Sequence, residues 1–259
     1  MEVVDVASGA DAGLRIAAVA SLAAAWEIAV RLLRVPHFIL PAPSEIAGAF
    51  AAEPGFFLRQ SLITGGEMLV GMALGVGLGI ACALLLALSP RLERVVGPML
   101  VVSQALPVFA IAPLLVIWFG FGLSSKVAMA ALIIFFPVAT TFADGLRRAD
   151  PNLLDLARMN GAGRVATLWK IRVPSALPAL GSGLRIAAAV APIGAVVGEW
   201  VGSSSGLGFI MLQSNARMQT DRVFVALFIL AGMAVLLRLG VDLLVRRRLA
   251  WVPGEGSTR

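Results

Sequence analysis

Residues 66–88 read GEMLVGMALGVGLGIACALLLAL, an apolar run in which Glu67 is the single charged residue. A transmembrane helix needs about 20 mostly apolar residues to cross about 30 Å of hydrocarbon, and this run is long enough. Because a backbone polar group without a partner is costly in lipid, and no barrel-type alternation is present, the run is predicted to be helical. Gly71, Gly75 and Gly79 recur at a spacing of four, which predicts a face of small residues for close helix packing.

Other apolar runs of similar length lie on both sides of this one. The chain is 59% hydrophobic and 14% charged, with a mean hydropathy of +0.92, values typical of an integral membrane protein. The predicted spans cover residues 14–33, 66–88, 95–119, 127–146, 177–201 and 223–245. The sequence therefore predicts an all-α, polytopic membrane protein with about six transmembrane helices. A single membrane domain covers residues 14–248, between tails at 1–13 and 249–259.

Lysine and arginine residues indicate the orientation of the bundle, because they accumulate in cytoplasmic connectors. The richer connectors lie between spans two and three, between spans four and five, and after span six; they carry Arg91, Arg94, Arg147, Arg148, Arg158, Arg164, Lys170, Arg172, Arg246, Arg247 and Arg248. These connectors lie on one side of an even-numbered bundle, so both termini are predicted to be cytoplasmic. The same topology accounts for the net charge of +6, and no nucleic-acid partner is predicted.

Few residues could support catalysis or metal binding. The chain has one cysteine, Cys82, and one histidine, His37, which excludes an intrachain disulfide and a Cys- or His-pair metal cluster. Residues 202–206 match Gly-x-Ser-x-Gly by chance, because the nucleophile elbow needs a strand-turn-helix and a separate histidine base. No phosphate-binding Gly-x-x-x-x-Gly-Lys-Ser/Thr is present, so any ATP must be bound by another subunit. We predict no catalytic, cofactor-binding or metal residues in this chain.

A polar, basic segment separates spans four and five. Asp150-Pro151 is a helix-start signal, and Gly161 is suited to the left-handed conformation of a helix end. A second short helix is predicted over residues 164–171, ending before Pro174. An ordinary basic loop, made so by topology alone, is the simpler alternative.

The spacing within this segment favours a more specific interpretation. Asp155-Leu156-Ala157, then Gly161, then Ile171-Arg172-Val173-Pro174 resembles the motif Glu-Ala-Ala, three residues, Gly, nine residues, Ile, one residue, Leu-Pro. That motif belongs to permease subunits of binding-protein-dependent ABC importers. The departures, Asp for Glu, Leu for Ala and Val for Leu, preserve charge or apolar character.

The resemblance extends over about residues 38–251. Residues 40–45, 107–113 with 118–122, and 199–208 are similar to the branch that includes nitrate, sulfonate, taurine and thiamine-precursor permeases. Residues 211–221 most resemble hydroxymethylpyrimidine permeases, followed by riboflavin-type permeases.

The resemblance implies a type I ABC importer permease fold in the bacterial inner membrane. It implies that two ATPase subunits, which bind ATP and Mg, dock on residues 147–175, here called the coupling segment. The residues carried over from the motif are Asp155, Ala157, Gly161, Ile171 and Pro174. An extracytoplasmic substrate-binding protein, a second copy of the chain and membrane lipid are the other implied partners. The implied substrate is a small polar solute, with a thiamine pyrimidine precursor first and riboflavin or a sulfonate, taurine or nitrate as alternatives.

Polar residues within spans are candidates for a translocation path, because an ionisable group there needs a partner or a water-filled cavity. Gln104 and Pro107 are candidates since proline frees backbone carbonyls that lipid does not tolerate; packing kinks are the alternative. Arg185 and Glu199 lie too far apart along one helix to pair, and Glu199 either rims the entrance or holds a helix end. Arg238 and Asp242 are predicted to form an i,i+4 ion pair.

An ion-coupled secondary transporter is the competing class. It would require inverted repeats and buried carboxylates near mid-membrane, and the sequence shows neither an evident repeat nor a carboxylate cluster.

Overall fold

The computed structural model describes residues 3–104 and 106–251, apart from the side chains at 3–12, 15 and 16. The helices are α1 (Val3–Leu32), α2 (Pro43–Ala52), α3 (Pro54–Leu88), α4 (Pro90–Ser103), α5 (Val108–Phe119), α6 (Leu123–Arg147), α7 (Pro151–Met159), α8 (Arg164–Thr167), α9 (Val173–Gly202), α10 (Leu207–Ala216) and α11 (Thr220–Arg248). A π-helical turn, Leu168–Arg172, joins α8 to α9. The described residues contain no strand, which confirms the all-α prediction.

Four helical segments are long and apolar enough to span a membrane: α3, α6, Arg164–Gly202 and α11. The pair α4 and α5 makes a fifth span if the two are counted together. α1 covers the first predicted span but carries charged residues, Glu27 and Arg31 among them. The predicted polytopic helical protein is therefore confirmed.

The third predicted span, residues 95–119, is not a continuous helix. α4 and α5 meet at an angle of 104°. Pro107 caps α5 in an extended conformation, with φ −62° and ψ 108°. Proline has no backbone N–H and disfavours the helical conformation of the residue before it, so the helix stops here.

The segment between the first two spans also differs from its prediction. In that segment, α2 begins at Pro43 with Ala42 as its N-cap. The Glu45 carboxylate accepts a hydrogen bond from the Ala42 backbone N–H at 2.9 Å, and Pro43 occupies the first turn, where its missing donor costs nothing. The following helix, α3, starts at Pro54, well before the predicted residue 66.

The second helix of the coupling segment does not end before Pro174. The Val173 N–H donates to the Leu168 carbonyl, an i→i−5 bond of the π turn, and the backbone runs on into α9. A π turn shifts the hydrogen-bond pairing by one residue, so the proline, which has no donor, enters the first turn of α9 without breaking the helix.

The chain divides into two compact units: Met1–Arg59 with Ile210–Phe228, and Gln60–Phe209 with Ile229–Arg259. In the first, the Trp26 ring packs against Phe224, with ring centroids 5.7 Å apart, and Thr220 donates to the Phe38 carbonyl at 2.7 Å. The second contains antiparallel α6 and α9, which share a buried core that includes Ile134, Val138, Ala187 and Ala191.

The glycine face predicted on α3 packs against α6. A Cβ placed on Gly71 would lie 2.5 Å from the Ala130 Cβ, and one on Gly75 would lie 2.7 Å from the Ala131 carbonyl oxygen. Real Cβ atoms do not approach so closely, so these glycines set the distance between the two helices. The predicted packing role is confirmed.

Gly75→Ala is expected to lower the free energy of unfolding by about 1–3 kcal/mol, because the added methyl group meets α6 backbone. Gly77→Ala is the matched control, since a Cβ at Gly77 has no neighbour within 4 Å. It is expected to be neutral or to stabilise by up to about 1 kcal/mol through helix propensity. Thermal unfolding of both variants in detergent tests this difference, and equal melting temperatures would contradict it.

Candidate functional site

The coupling segment has defined helix ends. At the start of α7 the Asp150 carboxylate accepts a hydrogen bond from the Asn152 N–H at 2.8 Å, and Pro151 follows as the first helical residue. At its end the Gly161 N–H donates to the Arg158 carbonyl at 3.0 Å, and the Ala162 N–H donates to Ala157 at 2.9 Å. This pair of bonds is a Schellman motif, and the φ of +70° at Gly161 is the left-handed conformation that it requires.

The five residues carried over from the motif lie on both halves of the segment. Asp155 is exposed and forms an ion pair with Arg158 at 2.7 Å, whereas Ala157 is buried. Gly161 closes α7, Ile171 lies in the π turn, and Pro174 lies in the first turn of α9.

The segment is anchored to the helices that it connects. Leu168, in the π turn, is 2% exposed and belongs to one buried cluster with Ala83, Phe142, Leu146 and Ala176. These partners come from α3, α6 and α9. Sequence reasoning missed Leu168, because nothing in residues 164–172 distinguishes it from neighbouring apolar residues that are exposed.

The outer surface of the segment is strongly apolar. Large exposed side chains project from α7, α8 and the π turn: Leu153, Leu156, Met159, Val165 and Trp169. Met159 is 86% exposed. An exposed apolar patch of this kind, bordered by basic residues, is typical of a protein interaction surface.

A buried polar cluster lies at the opposite end of α6 and α9; its members are Thr64, Glu67, Lys126, Glu199 and Ser203. The Glu199 carboxylate is fully buried and accepts a hydrogen bond from the Thr64 hydroxyl at 2.6 Å. It also accepts from the backbone N–H groups of Gly208, at 2.5 Å, and Phe209, at 3.3 Å. These are free donors at the start of α10, so Glu199 acts as a helix cap, one of the two roles that the sequence left open.

The same cluster contains a buried ion pair between Lys126 and Glu67. Lys126 is 5% exposed and Glu67 is 1% exposed. The Lys126 ammonium also donates to the Ser203 hydroxyl at 3.0 Å. The ion pair therefore joins α3 to α6, and the Thr64–Glu199 hydrogen bond joins α3 to α9. Sequence reasoning missed this ion pair, because Lys126 and Glu67 lie on different helices.

The turn between α9 and α10 needs a glycine at position 206. Gly206 has a φ of +104°, and a Cβ there would collide with the Glu199 carboxyl group. Its N–H donates to the Gln60 side-chain oxygen at 2.6 Å. The backbone of the turn is thus held directly against the buried polar cluster.

Arg185 forms an ion pair with α11. It donates to Asp242 at 2.8 Å, and Asp242 also pairs with Arg246 at 2.8 Å. The predicted Arg238–Asp242 pair is therefore wrong. An acidic residue placed N-terminal to its basic partner, as in Asp242 and Arg246, is the better i,i+4 orientation. Among the described residues, Nη1 of Arg238 is buried without a hydrogen-bond partner.

The four candidate path residues have separate surroundings. Gln104 and Pro107 are exposed at the bend between α4 and α5. Arg185 pairs with α11, and Glu199 belongs to the buried polar cluster. Glu27, in α1, forms an ion pair with Arg31 of the same helix at 2.6 Å and accepts a hydrogen bond from the Ser44 hydroxyl at 2.8 Å.

Comparison with known proteins adds independent findings. Residues 75–249 match the family described as binding-protein-dependent transport system inner membrane component. A probable ABC transporter permease protein of Haemophilus influenzae is 47% identical, over 86% of this chain and 91% of its own length. The formylaminopyrimidine transport permease protein of Halalkalibacterium halodurans is 37% identical, over 82% and 84% of the two chains.

The riboflavin transport system permease protein of Chloroflexus aurantiacus is 38% identical, over 87% of this chain and 85% of its own length. In fold, the chain resembles the crystal structure of an amino acid ABC transporter with histidines. The TM-score is 0.61 and the identity 18%, over 79% of this chain and 97% of the other.

Proposed function

The chain belongs to the family of binding-protein-dependent transport system inner membrane components and is the permease component of an ABC importer, and from that premise we propose how it works. Two copies form the pore in a bacterial cytoplasmic membrane, with both termini inside. The observation that carries the proposal is the coupling segment, whose capped helix presents an apolar surface outward and is anchored inward through Leu168.

Two cytoplasmic ATPase subunits dock on the coupling segments of the pair, and they alone bind ATP and Mg. The exposed apolar side chains of α7 and α8 form the contact surface. The short helix is rigid because its two ends are fixed by Asp150 and by the Gly161 turn. A displacement of α7 is therefore passed on to α6 and α9 rather than lost in a flexible loop.

Transport follows alternating access. Closure of the ATPase dimer draws the two coupling segments together and opens the pore outward, where an extracytoplasmic binding protein delivers the substrate. Hydrolysis resets the pore. Gln104 and Pro107, exposed at the bend between α4 and α5, contribute to the path. Arg185, paired with α11, and Glu199, which caps α10, hold the helices that frame it. This chain makes and breaks no covalent bond.

The substrate that we propose is a thiamine pyrimidine precursor, with riboflavin second. The relatives named for formylaminopyrimidine and for riboflavin support both at similar identity, 37% and 38%. The motif at residues 211–221 favours the pyrimidine.

The substrate assignment predicts selective uptake. Proteoliposomes that hold the permease, its ATPase and the cognate binding protein are expected to take up a labelled aminopyrimidine in an ATP-dependent manner, with no uptake of riboflavin. The reverse selectivity would assign riboflavin. Uptake by the permease alone under an ion gradient would contradict an ATP-driven importer and favour a secondary transporter.

A further inference from the structure

A basic cavity lies where the coupling segment meets the end of α3. Its volume is about 350 Å³, and its lining includes the guanidinium-bearing residues Arg158, Arg164 and Arg172. No acidic residue is among those that line it. Three like charges around one small cavity repel one another, so the cavity favours an anion.

Two of the three arginines have no counter-ion in the described part of the chain. Neither Arg164 nor Arg172 forms an ion pair there, whereas Arg158 uses one nitrogen to bind Asp155 at the surface. That contact is exposed on both sides, hence screened by water, and it leaves most of the donors of Arg158 available. A planar guanidinium group binds two phosphate oxygens at once through parallel hydrogen bonds. The three arginines therefore suit a phosphate better than a small monovalent anion.

Apart from Thr167, the remainder of the lining is apolar, and it lies at the end of α3, which is long and apolar enough to span a membrane. Leu88 is the last residue of α3, and Leu168 contributes from the π turn. Guanidinium groups and apolar side chains lining one cavity at the end of a membrane span suit a lipid rather than a free ion.

From these observations we propose that Arg158, Arg164 and Arg172 bind the phosphate of an anionic phospholipid headgroup. The apolar residues that line the cavity contact the first part of the acyl chains, next to the glycerol. Basic pockets beside transmembrane helices at the cytoplasmic surface are suited to such headgroups. The lipid would neutralise the cavity and brace α7 and the π turn against the end of α3. The ATPase is not needed for this binding.

The test uses native mass spectrometry of the full chain, purified in detergent and supplied with equal amounts of phosphatidylglycerol and phosphatidylcholine. Phosphatidylglycerol adducts are expected to dominate. R164Q/R172Q is expected to weaken phosphatidylglycerol binding about 20-fold or more, from about 5-fold for each arginine near the surface. R247Q/R248Q is the matched control: it removes two exposed arginines outside the cavity and is expected to keep the preference.

Four results would overturn the proposal. They are equal binding of the two lipids, an equal loss in R247Q/R248Q, displacement of phosphatidylglycerol by inorganic phosphate, and loss of ATPase binding by R164Q/R172Q with its lipid preference intact. The last would assign the cavity to an acidic protein surface. If the double variant does not fold, R164Q alone is expected to lose about 5-fold. Phosphatidylcholine adducts in the same spectrum report whether the protein is folded.

Discussion

Lys126→Met is expected to lower the free energy of unfolding by about 3–5 kcal/mol, because it leaves the Glu67 charge buried without its partner. Glu67 is 1% exposed, so water cannot replace the lost ammonium group. The Ser203 hydroxyl loses its donor in the same substitution. For a chain of this size the loss corresponds to about 10 °C in melting temperature, measured in detergent by intrinsic fluorescence.

Two controls test whether the loss of stability comes from an unpaired charge that is buried. The double variant Glu67→Gln, Lys126→Met removes both charges and is expected to recover a large part of the lost stability, since no charge is left unpaired. Arg147→Gln breaks the ion pair with Glu93, which is 35–50% exposed, and is expected to cost no more than about 1 kcal/mol. Equal destabilisation by Lys126→Met and Arg147→Gln would refute the special weight given to the buried polar cluster.

Gly161→Pro is expected to abolish stimulation of the partner ATPase and to abolish transport, while the membrane domain still folds. Gly161 has a φ of +70°, and proline is fixed near −65°, so the Schellman turn cannot form. Proline also removes the N–H that donates to the Arg158 carbonyl. The measurement is ATP hydrolysis by the co-purified complex in proteoliposomes, with and without the binding protein.

The matched control lies two residues away. Gly163 has an ordinary φ of −70°, and a Cβ there meets nothing within 4 Å, so Gly163→Ala is expected to keep full coupling. If Gly161→Pro hydrolyses ATP and transports as the unchanged protein does, the coupling segment is not the transmission element. If transport fails but the complex still assembles, the defect lies in transmission rather than docking.

Local signals in the sequence were reliable. Apolar runs predicted the helical membrane protein, because a backbone in lipid must satisfy its own hydrogen bonds. Asp150-Pro151 and Gly161 predicted both ends of α7, since caps depend on residues within one turn. The glycine face of α3 was likewise readable, because a spacing of four places small residues on one side of a helix.

Features that depend on neighbouring helices were predicted wrongly or could not be predicted from the sequence. Pro107 interrupts the helix inside a predicted span. Pro174 does not end a helix, because the preceding π turn shifts the backbone hydrogen bonds so that its missing N–H breaks none of them. Asp242 bound Arg185 of another helix in place of the expected Arg238.

The sequence by itself determined the class of protein, the places of its main apolar helices and the position of the coupling segment, because these follow from hydropathy and from contacts within one helical turn. Only the tertiary structure decided that Lys126 pairs with Glu67, that Glu199 binds Thr64, and that three arginines line one cavity. Thr64 and Glu199 are 135 residues apart in the chain, and helix packing alone brings them into contact. Helical periodicity gives the face of each helix, but the partner of a buried charge depends on which faces pack together.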